Sequence, residues 1–315
     1  MHKLSAVVAT FFAAIAVAPG AAAQTSVAVD AAVRAASPVR AAATIHPHAE
    51  YLVSTAWLAR HLQSPGVVVV QVGRGDAAYL AGHIPGARFL PLDAVAATVG
   101  AVPNEFPPEA DLVRTFRDLG VGGATRIVLY GDDAGLLAAR AWVALDLLGR
   151  ADRAALLDGG LAKWLAEHRA VETGPHPAAA QPFADHWRPE RVVSSSWVKE
   201  HLGDRGVLFV DARAPSLYEG AGGHLPGAHN VFWMTALDTA AGGVLRPMRA
   251  LRADPWKPAG AEARGLTVVT YCQTGMQASF DYFVARYLGY PDVRLYDGSM
   301  SEWTLLGGPV ERSSP

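Results

Sequence analysis

Leu266-Thr267-Val268-Val269-Thr270-Tyr271-Cys272-Gln273-Thr274-Gly275-Met276-Gln277 reads as a strand that runs into a short loop. Phe280, Phe283, Val284, Tyr287 and Leu288 follow at i, i+3, i+4, i+7 and i+8, the spacing of one helix face. A β-branched apolar run followed directly by a helix is the unit of an α/β fold. Continuous apolar strands of this kind suit a parallel sheet covered by helices. Four further runs share the character: Val67–Val70, Ile127–Tyr130, Val207–Val210 and Val293–Tyr296.

Working outward, the chain proves to be written twice. Arg126-Ile127-Val128-Leu129-Tyr130 corresponds to the strand before Cys272. Ser54-Thr55-Ala56-Trp57 recurs as Ser194-Ser195-Ser196-Trp197, and Val67–Val70 as Val207–Val210. Gly82-His83-Ile84-Pro85-Gly86-Ala87 recurs as Gly223-His224-Leu225-Pro226-Gly227-Ala228. Asp158-Gly159-Gly160 with Trp164 recurs as Asp297-Gly298-Ser299 with Trp303. Matches in one order at a separation of about 140 residues mark a duplicated domain. The expected division is residues 48–171 and 191–315, with a Pro-containing linker over 172–190. The tryptophans 57, 164, 197 and 303 match across the copies and are expected in the cores.

The 315 residues suffice for two cores, and 51% hydrophobic with 18% charged residues excludes a coiled coil or a disordered chain. A net charge of -2 gives no field to draw in nucleic acid or an anionic membrane. At the N-terminus, Lys3 precedes the apolar run Ala6 to Ala18; Pro19-Gly20 breaks it, and Ala21-Ala22-Ala23 offers a small-residue cleavage site. Residues 1–23 are therefore expected to be a signal peptide, and 24–47 a poorly ordered lead-in. The mature protein is expected to be exported, periplasmic or secreted, off the membrane after cleavage, and monomeric.

Cys272 is the only cysteine. A lone thiol cannot form an intramolecular bridge in an oxidising compartment, and a buried inert thiol is the plain alternative to a reactive one. Its place favours reactivity. In an open parallel sheet, sites form beyond the carboxyl ends of strands, and a helix N-terminus adds unpaired N–H groups and partial positive charge. Such amides favour a thiolate or a persulfide, so a lowered thiol pKa is expected. The geometry alone does not choose sulfur over phosphorus chemistry.

The two copies resemble tandem rhodanese domains, and nearly all of the chain after about residue 48 resembles the two-domain sulfurtransferases. The motifs at 82–87 and 223–228 resemble the family's first signature; those at 158–164 and 297–303 resemble its second. The resemblance implies two mainly parallel sheets flanked by helices, with a catalytic Cys in the second copy only. Gly131 stands where Cys272 stands in the other copy. It also implies transfer of a sulfane sulfur from thiosulfate or a related small anionic donor to cyanide or a thiol through a Cys272 persulfide, with no cofactor and no metal.

Within the loop, Gln273, Thr274, Gly275, Met276 and Gln277 are the expected substrate-binding residues. Thiosulfate enzymes resemble Cys-Arg-x-Gly-x-(Arg or Thr), and the mercaptopyruvate enzymes Cys-Gly-Ser-Gly-Val-Thr. Gln273 and Gln277 offer hydrogen bonds without charge, so dianionic thiosulfate is expected to bind less well than beside an Arg. Thr274 holds the mercaptopyruvate enzymes' Ser position, and His83 that of an N-domain His that they use with it, while Val72 stands where its acidic partner is expected. Asp211 and Arg213 resemble the family's Asp-x-Arg: Arg213 is a candidate substrate ligand supported by Asp211, or one half of a buried ion pair. His83 and His224 equally suit a role in fixing their own turns. Two competing functions are a Cys-x5-Arg phosphatase, for which Ala278 replaces the required Arg, and a non-catalytic binding module.

Overall fold

The computed structural model describes residues 47–131, 133–256 and 265–312. The segment read as a signal peptide, and residues 24–46 of the lead-in, lie outside the described residues.

The N-terminal half runs β1 (Leu52–Val53), α1 (Thr55–His61), β2 (Val67–Gly73), α2 (Ala77–Ala81), β3 (Arg88–Pro91), β4 (Ala97–Val99), β5 (Val102–Glu105), α3 (Glu109–Asp118), β6 (Arg126–Tyr130), α4 (Leu136–Leu147), β7 (Ala154–Leu157) and α5 (Gly160–Ala166). The C-terminal half runs α6 (Ser195–Glu200), β8 (Val207–Asp211), α7 (Pro215–Tyr218), β9 (His229–Asn230), β10 (Leu237–Asp238), β11 (Val244–Leu245), α8 (Met248–Ala253), β12 (Thr267–Tyr271), α9 (Met276–Leu288), β13 (Val293–Leu295) and α10 (Ser299–Leu305).

One parallel sheet has the order β1-β7-β6-β2-β3, the other β13-β12-β8-β9. A single parallel bridge, Val192 to Leu295, stands in the second sheet where β1 stands in the first. This is the α/β fold with two mainly parallel sheets that the valine-rich runs imply. Every strand residue from Val68 to Gly73 is buried, as a sheet covered on both faces requires. Equivalent caps open the first helix of each half: Ser54 accepts from the Trp57 amide, and Ser194 from the Trp197 amide.

Each half also carries an antiparallel hairpin, β4–β5 and β10–β11. The hairpins cross to the other half: the Phe106 amide, just past β5, donates to Asp297 Oδ2 (2.8 Å), and the Leu245 amide donates to Asp158 Oδ1 (2.8 Å). Between them α4 packs on α9, with Trp142 edge-on to Phe283 at 5.1 Å. Arg286 pairs with Asp146 at 3.2 Å, and Tyr282 donates to Asp146 at 2.7 Å. One apolar cluster runs through both halves, from Val70, Leu129 and Trp142 to Phe283, Val284 and Trp256.

Helix α9 departs from the expectation of a single buried face. From Ala278 to Leu288 every residue is buried. The helix lies between its own sheet and α4, so it has apolar neighbours on both sides. The linker, from 175 to 188, has no helix or strand and follows the N-terminal half, donating from His186 to the Leu148 carbonyl and from Arg188 to the Leu147 carbonyl.

Candidate active site

Cys272 follows β12 directly, and β12 pairs with β8 so that Tyr271 lies beside Asp211. The loop is short because Gly275 already caps α9 in the left-handed conformation, φ 80°. Glycine is required there on two counts. The left-handed region disfavours a side chain, and a Cβ would lie 2.5 Å from Asp297 Oδ1 and 2.7 Å from its carbonyl.

The loop is held from below by the second signature. Ser299 Oγ accepts from the amides of Cys272 and Gly275, both at 3.1 Å, and donates to the Tyr296 carbonyl at 2.9 Å. The Met300 and Ser301 amides donate to the carbonyls of Cys272 and Gln273. Ser299 is the member of its motif that differs from the first copy, where Gly160 stands. The two copies carry that signal in their sequences, because Cys for Gly131 and Ser for Gly160 change together.

The Cys272 side chain is 1% exposed. The amides of Ala278, Thr274 and Gln277 donate to its sulfur and favour the thiolate, as the strand–loop–helix unit implies. Burial outweighs them, and with the Asp211 carboxylate nearby it pushes the thiol above its ordinary value. The expected lowering is therefore corrected: the amides are in place, but the sulfur has been taken out of water.

The remaining expected site residues divide clearly. Gln273 is exposed and donates weakly to Ser301 Oγ (3.4 Å); Met276 is buried as the first residue of α9. Gln277 has a buried side-chain oxygen without a hydrogen-bond partner. Arg213 is 3% exposed and bound through Nε and Nη2 to both Asp211 oxygens (Nη2–Oδ2 2.6 Å) and to the Gly223 carbonyl (2.9 Å). It is within electrostatic reach of Cys272 and forms one half of a buried ion pair with Asp211, the second of the two roles its motif allowed. His83 stacks on Tyr79 (4.1 Å), bonds the Tyr79 carbonyl (2.9 Å) and faces Glu172. His224 repeats this with Tyr218 and Glu311. Both histidines fix their turns.

The hydroxyl of Thr274 meets Asn104 instead, whose Nδ2 donates to it at 3.0 Å. Asn104 sits in β5 with a left-handed φ of 63°. Beside it, Arg140 of α4 is completely buried, bidentate with Asp297 (2.5 and 3.0 Å) and packed on the Phe106 ring at 3.4 Å. Burial and the Asp297 carboxylate push Glu105 up to about 7. Sequence reading missed Asn104 and Arg140 because both come from the other copy, more than 100 residues away.

Residues 54–167 and 194–306 each match the rhodanese-like domain. A thiosulfate sulfurtransferase of Azotobacter vinelandii is 34% identical over 262 residues, spanning 80% of this chain and 93% of its own length. A 3-mercaptopyruvate sulfurtransferase of Escherichia coli K12 is 28% identical over 284 residues, spanning 83% and 98%. The crystal structure of SseA from Escherichia coli, described as a 3-mercaptopyruvate sulfotransferase with the rhodanese fold, superposes with a TM-score of 0.67 at 26% identity. It covers 79% of this chain and 98% of that one. Two matched domains over most of the chain, and relatives of this identity and coverage, place the protein in the rhodanese family as a two-domain sulfurtransferase.

Proposed function

We propose that Cys272 carries the transferred sulfur as a persulfide, with thiosulfate or a related sulfane compound as donor and cyanide or a thiol as acceptor. The observation that carries this reading is the placement of the chain's single sulfur nucleophile under three convergent amides at the start of α9. The Cys272 thiolate attacks the outer sulfur of thiosulfate, the donor's S–S bond breaks, and sulfite leaves with the electron pair. The new Cys–S–S⁻ places its charge one atom beyond Sγ, where the loop amides and the helix N-terminus favour it. Attack by cyanide on the terminal sulfur releases thiocyanate and restores the thiolate.

Two guanidiniums close to the loop, Arg213 and Arg140, are each paired with an aspartate. Dianionic thiosulfate is thus bound by hydrogen bonds and not by net charge. That observation supports a second donor, 3-mercaptopyruvate, a monocarboxylate whose C–S bond breaks to release pyruvate after protonation. Thr274 in the loop's third position supports it as well. Thiocyanate production from each donor with cyanide decides between them: a larger kcat/KM on thiosulfate supports the first donor, and a larger value on 3-mercaptopyruvate the second.

The N-terminal half has Gly131 at the nucleophile position and does no covalent chemistry itself. The apolar run and small-residue site before Gln24 support export to the periplasm or beyond, and the mature protein is read as a monomer. Among the described residues no helix is long and apolar enough to cross a membrane.

A further inference from the structure

Equivalent positions of the two halves meet across the α4–α9 contact. Gly135 caps α4 and Gly275 caps α9, both left-handed, at φ 87° and 80°. Arg140 and Phe280 are each the fifth residue of their helix. Phe280 faces Gly135, 3.6 Å from where its Cβ would be, and Arg140 Nη1 faces Gly275 at 3.4 Å. The crossing hairpins repeat the same rule, with the Leu245 amide on Asp158 and the Phe106 amide on Asp297. The fold therefore builds two equivalent loop environments, but among the described residues a cation and an asparagine serve only the one that holds Cys272.

Arg140 satisfies its hydrogen-bonding capacity within that environment. Nε donates to the Val95 carbonyl (3.1 Å), Nη1 to Asp297 and to Ser279 Oγ (3.3 Å), and Nη2 to Asp297 and the Asn104 carbonyl. Ser279 Oγ in turn donates to the Gly275 carbonyl at 2.8 Å. One buried guanidinium thus ties the crossing hairpin, the second signature and the first turn of α9 together. Asn104, held through its carbonyl, reaches with its amide to the Thr274 hydroxyl. The backbone N–H of Thr274 is one of the three that point at Cys272 Sγ.

We propose that Arg140 and Asn104 make the cysteine-free half a positioning unit for the Cys272 loop, with the Asn104–Thr274 contact fixing one of the amides that the sulfur uses. For turnover this rests on the sulfur-transfer reading above; for the reactivity of the thiol it does not. The loop has no cation of its own, so its anion-stabilising capacity lies in amide alignment, and alignment is what this contact supplies.

The cleanest variant is Asn104→Gly. It suits the left-handed φ and keeps the carbonyl that Arg140 holds, so it removes only the side-chain amide. Thr274→Val is the reciprocal change, and the pair forms a double-mutant cycle. Two rates are read: alkylation of Cys272 by iodoacetamide across pH, and turnover with donor and cyanide. Each single variant is expected to slow both about three- to tenfold, the size of one hydrogen bond. KM for the donor should change less than kcat, the alkylation profile should move to higher pH, and the double variant should be no slower than either single. Losses that multiply in the double variant, or an Asn104→Gly enzyme with wild-type rates, overturn the proposal. If the wild-type protein takes sulfur from no donor, the sulfur-transfer reading fails, while the alkylation cycle still reports on Asn104 and Thr274.

Discussion

The thiol of Cys272 is governed by two opposing effects, three amide donors that favour the thiolate and burial that disfavours it, and burial prevails. The resting thiol should therefore alkylate slowly at neutral pH, with a rate that climbs without a plateau to at least pH 9, the ordinary thiol value here. A plateau near pH 7 would show that the amides prevail. Another buried group is the Asp281 carboxyl in α9, fully buried, with no hydrogen-bond partner for either oxygen. Burial holds it protonated well above its ordinary 3.8, helped by the nearby Asp211. The folded state then binds a proton that the unfolded state releases, so the group lowers stability as pH rises through and above that ordinary value. Asp281→Ala should stabilise the protein by about 1–3 kcal/mol at pH 7, the cost of an unsatisfied buried polar group. Denaturant titration should show the gain shrinking towards pH 4; a gain independent of pH would contradict this assignment. The identity of the nucleophile was legible from its solitude and its place after a strand. Its pKa was not, since burial comes from packing against residues distant in sequence.

The strand–loop–helix element was legible almost whole: β12, the four-residue turn Cys272 to Gly275, and α9 stand where β-branching and helical spacing put them. The Asp-Gly-Ser repeat was recognised as a motif, but its work, two amides on Ser299 Oγ, is visible only in three dimensions. The tightness of the turn also gives a graded test. Gly86 has a positive φ, 75°, and a Cβ added there would meet nothing within 4 Å, whereas at Gly275 the Cβ meets Asp297. Gly86→Ala should cost only the left-handed penalty, about 1–2 kcal/mol. Gly275→Ala should cost that plus the overpacking of a fixed backbone, roughly 1–3 kcal/mol more, and should also lower turnover. Equal losses of stability in the two variants would mean that the contact with Asp297 is not tight. The hairpins β4–β5 and β10–β11 were not legible as site elements, because their short strands carry no strong period and their partners lie in the other half.

Across the whole molecule the duplication was plain in the sequence, while the interlocking of the copies was not. Helix α9, buried throughout from Ala278 to Leu288, the Asp146–Arg286 pair and a single apolar cluster join the halves. The protein should accordingly unfold in one calorimetric transition, and two resolved transitions would show that each half is stable alone. The interlock explains why a copy without a nucleophile remains part of the enzyme: its Arg140 and Asn104 complete the loop that holds Cys272. The central claim, that sulfur is carried on that residue, is tested most directly by the intact mass of the protein after incubation with thiosulfate, 3-mercaptopyruvate or another sulfane donor and removal of the excess. The account predicts the gain of one sulfur atom, lost again on adding cyanide and absent in Cys272→Ser; no gain with any donor, or an equal gain in Cys272→Ser, would contradict it.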